Sequence, residues 1–185
     1  KKINKQLNGN HNVITENKNT SNSIINTIIN DNSTINNYIV DLGNENLSEL
    51  FSKQEKLKVL NNKFNSLPYL IEYAHFNDKY PQFKNILITN TQNTLAYKYD
   101  TKNNQFMAIN KDELLNDIVD ARICDISSFY EELQNALDDK TKEIIEKVID
   151  KIENDPDYRE LKKKDIKLII YNNRRKVIKD NLLEN

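Results

Sequence analysis

The chain of 185 residues has few of the residues that build compact chemical sites: one cysteine, two glycines, two histidines, one methionine and no tryptophan. Cys124 alone closes no disulfide within one chain and makes no cysteine zinc site. Gly9 and Gly43 are too scattered for a glycine-rich phosphate loop. His11 and His75 lie far apart, without the i, i+4 spacing of a helical metal pair. No apolar run approaches the ~18 residues of a transmembrane helix, and no signal-peptide pattern opens the chain. The formal net charge is −1, so no global basic field points to nucleic acid. A reducing, intracellular compartment fits these absences. The first residue is Lys1 and the single methionine is Met107, so further sequence is expected upstream.

What is present is Asn, Ile and Lys, with 37% hydrophobic and 30% charged residues, the balance of a folded chain. A domain of this size buries roughly 70% of its unfolded surface and needs no covalent staples. Residues 1–46 hold 14 Asn. From Lys1 to Ser23 no period is sustained, and loop or disorder is expected. Between Ser23 and Val40, isoleucines alternate with Asn, Thr and Ser. β-Branched residues and Asn both disfavour helix. Two short strands are predicted, at 23–29 and 35–40, turning at Asn30-Asp31-Asn32-Ser33. A hairpin with apolar residues on both faces is not stable alone. Three readings stay open: an Asn-rich linker, packing on its own domain, or pairing of hairpins from several copies. The last makes Ile24, Ile25, Ile28, Ile29, Ile35, Tyr38, Ile39 and Val40 the candidate oligomerisation residues.

Asn46-Leu-Ser-Glu49 has the form of a capping box, so a helix is predicted to about Asn62. Its apolar face is Leu47, Leu50, Phe51, Leu57 and Leu60. Ser66 is expected to cap a second helix, with Pro68 in its first turn, running to about Phe76. Three strands follow, at 85–89, 94–99 and 105–109. Their links are polar and too short for crossovers, which predicts an antiparallel meander. Asn110-Lys-Asp-Glu113 is a second capping box. Behind it Leu115, Val119, Arg122, Ile126, Phe129 and Leu133 recur at spacings of four and three, the seam of a packed helix. Ser127 or Ser128 is an alternative start for a separate helix. Asp138-Asp139 marks a break before an amphipathic helix carrying Ile144, Ile145, Val148, Ile149 and Ile152. Asp155-Pro156 caps a last helix towards Leu183, with Asn172-Asn173 a candidate interruption. The fold class is therefore α+β: a three-stranded antiparallel meander packed with helices, a mostly helical C-terminal half, and an N-terminal Asn/Ile-rich β-hairpin appendage. The organisation is an oligomerisation element at 1–45, an α+β domain at 46–137 and a helical hairpin at 138–185.

Charge is uneven. Asn110 to Asp157 holds 6 basic and 15 acidic residues, a net of −9; Arg159 to Lys179 holds 9 basic and 2 acidic, a net of +7. The two blocks either pair across helices or leave a basic helix to meet nucleic acid through Lys162, Lys163, Lys164, Lys167, Arg174 and Arg175. His75 with Asp78 suggests acid–base chemistry, but no nucleophile stands at a recognisable spacing. No catalytic residue, cofactor, metal site or small-molecule substrate is expected. Cys124 sits in the helical seam and reads as a small core residue. Tyr69, Tyr73, Tyr80, Tyr97 and Tyr99 read either as a base-stacking surface or as the amphipathic skin of the core. Two helices followed by strands also permit a winged helix-turn-helix. Its second helix, however, offers Glu72 and no cation before Lys79.

Ile71-Glu-Tyr-Ala-His-Phe-Asn77, Asn85-Ile-Leu-Ile-Thr-Asn90, Asn110-Lys-Asp-Glu-Leu-Leu-Asn-Asp-Ile-Val-Asp120 and Leu168-Ile-Ile-Tyr-Asn-Asn-Arg174 form a recognisable set. With the Asn/Ile-rich lead into Asn37-Tyr-Ile-Val, residues 24–178 resemble the C-terminal half of proteins encoded by giant DNA viruses of the mimivirus type. Those proteins often begin with a zinc finger or other small DNA-binding module. This sequence has no zinc-finger cysteines, and Phe106 stands where the family often has tryptophan. The resemblance implies a virus-encoded, non-enzymatic protein of the host cytoplasm or the virion whose C-terminal domain assembles or recruits. A homo-oligomer is the first expectation; nucleic-acid binding and a virion structural role are the alternatives, and no membrane partner is expected.

Overall fold

The computed structural model describes residues 38–182, with side chains through residue 179. Of the expected hairpin, Ile24, Ile25, Ile28, Ile29 and Ile35 lie outside the described residues. Its end, Tyr38 to Val40, is irregular rather than strand. Tyr38 is exposed, while Val40 donates its N–H to Gln82 O at 2.9 Å and packs on the core.

The described fold is α+β. Its elements are α1 (Leu47–Leu50), α2 (Lys53–Asn61), α3 (Ser66–His75), β1 (Ile86–Leu87), β2 (Leu95–Asp100), β3 (Gln105–Asn110), α4 (Lys111–Leu133), α5 (Asp139–Asn154) and α6 (Pro156–Leu182). The strands form an antiparallel sheet in the order β1-β2-β3. The expected helix from Asn46 to Asn62 is broken. Asn46 takes a left-handed backbone, φ 44°, and makes no side-chain cap. The capping box falls instead at Ser52: its Oγ accepts from Glu55 N–H, and Glu55 Oε2 accepts from Ser52 N–H at 2.9 Å. Ser66 is the first residue of α3 rather than its cap.

Asn110 does cap α4, its side chain accepting from Asp112 and Glu113 N–H. Neither Ser127 nor Ser128 restarts that helix: Ser127 Oγ bonds back to Ile123 O at 3.0 Å, and the helix runs on to Leu133. Asp138 caps α5 by accepting from Thr141 N–H at 2.8 Å. The last helix continues through Asn172-Asn173, where Asn173 Nδ2 donates to Ile169 O at 3.0 Å within its own helix.

Helix α4 is the axis. It touches α1, α2, α3, α5, α6, β2 and β3, and every residue of its predicted seam is buried. Around it Phe51 stacks on Tyr80 at 5.1 Å and on Phe129 at 5.9 Å, and Tyr80 stacks on Phe83 at 5.6 Å. Such pairs contribute about 0.5–1.5 kcal/mol beyond burial. The hairpin α5–α6 shares this core through Ile145, Ile152, Ile166, Ile170 and Val177. Cys124 is not a core residue: it lies on the outer face of α4, exposed. The seam runs through Arg122 and Ile126, and Ile123 is buried beside it, but Cys124 falls on the opposite face.

Candidate functional site

Three polar constellations stand out among the described residues. The first is buried at the centre. Glu45 is enclosed, and its Oε2 accepts from Arg122 at 2.8 Å and from Gly43 N–H at 2.7 Å. Its Oε1 accepts from Asn85 Nδ2 at 2.8 Å. Asn85 Oδ1 in turn meets His75 Nδ1 at 2.9 Å, a nitrogen that also meets Phe83 O at 2.9 Å. Arg122 Nε lies 3.2 Å from Asp125 Oδ2, an ion pair without hydrogen-bond geometry. Burial opposes the charge of Glu45, but Arg122 and His75 outweigh it and hold the carboxyl below its usual range. Burial, then Arg122, push His75 down to about 4. Burial pushes Asp125 up to about 6 against the pull of Arg122. The pairing of His75 with Asp78 does not form; Asp78 is exposed and bonds Lys84 at 2.8 Å. With Glu45, His75, Asn85 and Arg122 buried, this cluster joins the loop before α1 to α3, β1 and α4.

The second constellation gathers on Glu55. Its carboxylate accepts from Tyr73 OH at 2.8 Å, Tyr80 OH at 2.9 Å, Lys79 Nζ at 2.6 Å and Ser52 Oγ at 2.8 Å. Burial works to raise Glu55, but the bonds from Lys79 and Ser52 bring it down to about 2. Tyr73 is pushed up to about 12 by burial and by Glu55. Tyr69, stacked on Tyr73 at 5.7 Å, lies beneath the Lys58 ammonium. Tyr97 and Tyr99 are half-buried on β2. Tyr69, Tyr73 and Tyr97 are partly buried against the core and Tyr80 is buried within it, while Tyr99 meets Phe106 and Asn104 at the sheet.

The third lies on α6 and divides the candidate cations. Lys162 is buried, donating to Phe64 O at 3.0 Å beside the ring of Tyr158. Arg174 folds onto Tyr171, 4.0 Å from the ring centroid, and donates to its carbonyl. Arg175 is exposed. Lys163, Lys164 and Lys167 come together instead. With Lys111, Asn110, Asp112, Leu115, Glu160 and the loop residues Thr91, Asn93 and Thr94, they line a groove of about 420 Å³. Lys163 is held by Asp112 and by Glu160 at 2.7 Å. Burial opposes its charge, and these two carboxylates outweigh it and raise its pKa. Lys111 donates to Asn93 O, and burial followed by the charge of Lys167 lower its pKa. Lys164 and Lys167 bond no carboxylate among the described residues. Four lysines against Asp112 and Glu160 leave the groove wall at +4 − 2 = +2.

Pairing of the basic and acidic blocks accounts for part of the remainder. It runs to α4 rather than α5: Arg159 bonds Asp120 at 2.7 Å, and Lys163 bonds Asp112. Sequence reading missed Lys111 and the loop Thr91–Thr94 as groove partners; nothing local joins them to α6. It also missed the Glu45–Arg122 pair, although an arginine in an otherwise apolar seam is the signal of a buried acid elsewhere.

No group of three His, Cys, Asp or Glu among the described residues is placed to hold a metal ion. No helix among them is long and apolar enough to cross a membrane. No family model, curated protein or solved structure matches the chain.

Proposed function

We propose that this chain is a non-enzymatic binding module that holds the phosphate backbone of a nucleic acid in the groove between α6, the start of α4 and the β1–β2 loop. The observation that carries the reading is the placing of Lys164 and Lys167, without carboxylate partners, beside the partly desolvated Lys111. Like charges held together lower one another's affinity for a proton, and an incoming phosphate relieves the repulsion. Asn110 and the threonines of the loop add neutral donors suited to phosphate oxygens. The resemblance to giant-virus proteins implies an accessory role in the infected cell or the virion; without zinc-finger cysteines it carries no DNA-binding residue over to this chain.

The test is binding of a fluorescent single-stranded oligonucleotide at several salt concentrations. Lys164→Gln with Lys167→Gln removes two phosphate contacts. The slope of log K against log salt should fall by about 1.4, at ~0.7 per contact. Lys140→Gln with Lys147→Gln, both exposed on α5, is the control and should leave the slope unchanged. No binding at low salt, or equal losses from the two pairs, refutes the proposal.

A further inference from the structure

We infer that the outer edge of β3 is a self-association surface, pairing antiparallel with β3 of a second copy to make a continuous six-stranded sheet. β3 is the terminal strand in the order β1-β2-β3. It reads Gln-Phe-Met-Ala-Ile-Asn, six residues without a charge or a proline. Its register with β2 runs unbroken from Leu95↔Asn110 to Asp100↔Gln105, so no bulge turns the edge away. Gln105, Met107, Ala108 and Asn110 are exposed, so no other described element covers it. Solitary edge strands are normally protected by lysine, proline, a bulge or a covering element. Among the described residues, β3 has none of these.

The backbone fixes which groups face outward. Lys111 N–H donates to Thr94 O at 2.7 Å, which makes that opposed couple a hydrogen-bonded pair. Antiparallel pairs alternate, so Ile109, Met107 and Gln105 also spend their backbone bonds on β2. On the other side Tyr99 N–H donates to Asn85 O at 2.8 Å, which assigns the odd residues of β2 to β1 and agrees with this parity. The backbone N–H and C=O groups of Phe106 and Ala108 therefore point away from the sheet.

A twofold axis at Met107 pairs these groups with their own images. Phe106 then stands opposite Ala108 of the second copy, and Ala108 opposite Phe106, giving four backbone hydrogen bonds. Met107 faces its own image in the closer, non-hydrogen-bonded position. A second copy fits better than an unrelated charged peptide, for two reasons on the strand itself. No like charges meet across the axis, and no counter-charge waits for an acidic or basic segment. The large Phe106 ring, already edge-on to Tyr99 at 5.3 Å, meets the small Ala108, so the two faces are complementary in size. The exposed Met107 side chains cover one another.

Sedimentation of the full chain over a wide concentration range tests this. The wild type should shift from one to two protomer masses as concentration rises. Ala108→Pro removes only an outward N–H, and a proline is tolerated in that position of an edge strand. It should remain monomeric with an unchanged thermal melt, as should Ala108→Lys, which charges the edge. Met107→Cys in a Cys124→Ser background should form an inter-chain disulfide on mild oxidation, because facing residues in the non-hydrogen-bonded position stand close enough to bridge. A wild type that stays monomeric overturns the inference. So does a dimer that survives both substitutions at Ala108, which places the contact elsewhere in the chain. Absence of the disulfide in a dimeric Met107→Cys protein overturns the pairing centred on that residue.

Discussion

Replacing Arg122 by methionine should be among the most damaging single changes this fold can suffer, and its cost should depend on pH. The guanidinium is 3% exposed, bonds the fully buried Glu45 at 2.8 Å and lies 3.2 Å from Asp125. Methionine fills much of the same volume, so little of the effect comes from a cavity. What remains is the enclosed carboxylate of Glu45 and the partly buried one of Asp125, with their cation gone. Breaking a buried pair from one side costs about 3–5 kcal/mol. Against a total stability of about 5–15 kcal/mol, that is a large share. With an m-value of ~2 kcal/mol/M, the urea midpoint should fall by about 1.5–2.5 M at pH 7.5. Without Arg122 the carboxyls of Glu45 and Asp125 rise above their unfolded values. Stability gained from a raised carboxyl is present at low pH and lost as pH climbs through the folded pKa. The deficit relative to wild type should therefore shrink between pH 8 and pH 5. Glu45→Gln combined with Arg122→Met should cost less than the sum of the single changes, since each removes the other's burden. Circular dichroism during urea titration reads all of these quantities. A cost below about 1 kcal/mol, or one that is the same at pH 8 and pH 5, refutes the reasoning.

Two further changes test neighbouring groups. His75, pushed down to about 4 and unfolding towards ~6.5, costs stability as pH falls through that window, on the order of 3 kcal/mol in full. Asp125, pushed up to about 6, works in the opposite direction, adding stability over nearly the same range as pH falls. Asp125→Asn should therefore expose the acid loss of His75, giving a urea midpoint that drops more steeply from pH 6.5 to pH 4.5 than in wild type; parallel profiles would dismiss this opposition. Glu55→Ala should lower stability by about 2–4 kcal/mol, since it removes a capping box and charge-assisted bonds to α3 and its following loop. The phenol of Tyr73 should then titrate well below about 12, visible as ultraviolet absorbance of tyrosinate; an unmoved titration would show that Glu55 is not what holds it up.

Local signals carried most of the fold. Asn110, Asp138 and Asp155-Pro156 start helices where short-range chemistry says they should, and the polar links after β1 and β2 make the meander. The error at Asn46 shows the limit of such signals. Asn46-Leu-Ser-Glu49 and Ser52-Lys-Gln-Glu55 both match a capping box, and only the second lies where the chain can place Leu47 and Phe51 in the core with Glu55 towards Tyr73 and Tyr80. Lys163, Lys164 and Lys167 were legible because one helix carries them. Lys111 and the Thr91–Thr94 loop reach the same groove through the tertiary fold, at separations that no periodicity encodes. The Glu45–Arg122 pair spans 77 positions and was visible only as a misfit in the seam.

The length and position of α6 bear on how the protein is made. At ~1.5 Å per residue its 27 residues extend about 40 Å, along which it meets α3, α4, α5 and β1. Leu47 and Val177, in the same core, are separated by 177 − 47 = 130 positions. At ~5–20 residues per second, a ribosome needs roughly 7–26 s to supply the second after the first. For that interval the nascent polypeptide holds apolar surface that awaits Ile166, Ile170, Val177 and their α6 neighbours. The lysines and arginines of α6 arrive at the same moment as its isoleucines. An emerging chain thus passes through a stage that is acidic, sticky and unfinished, and it becomes both closed and basic on one side in a single late step.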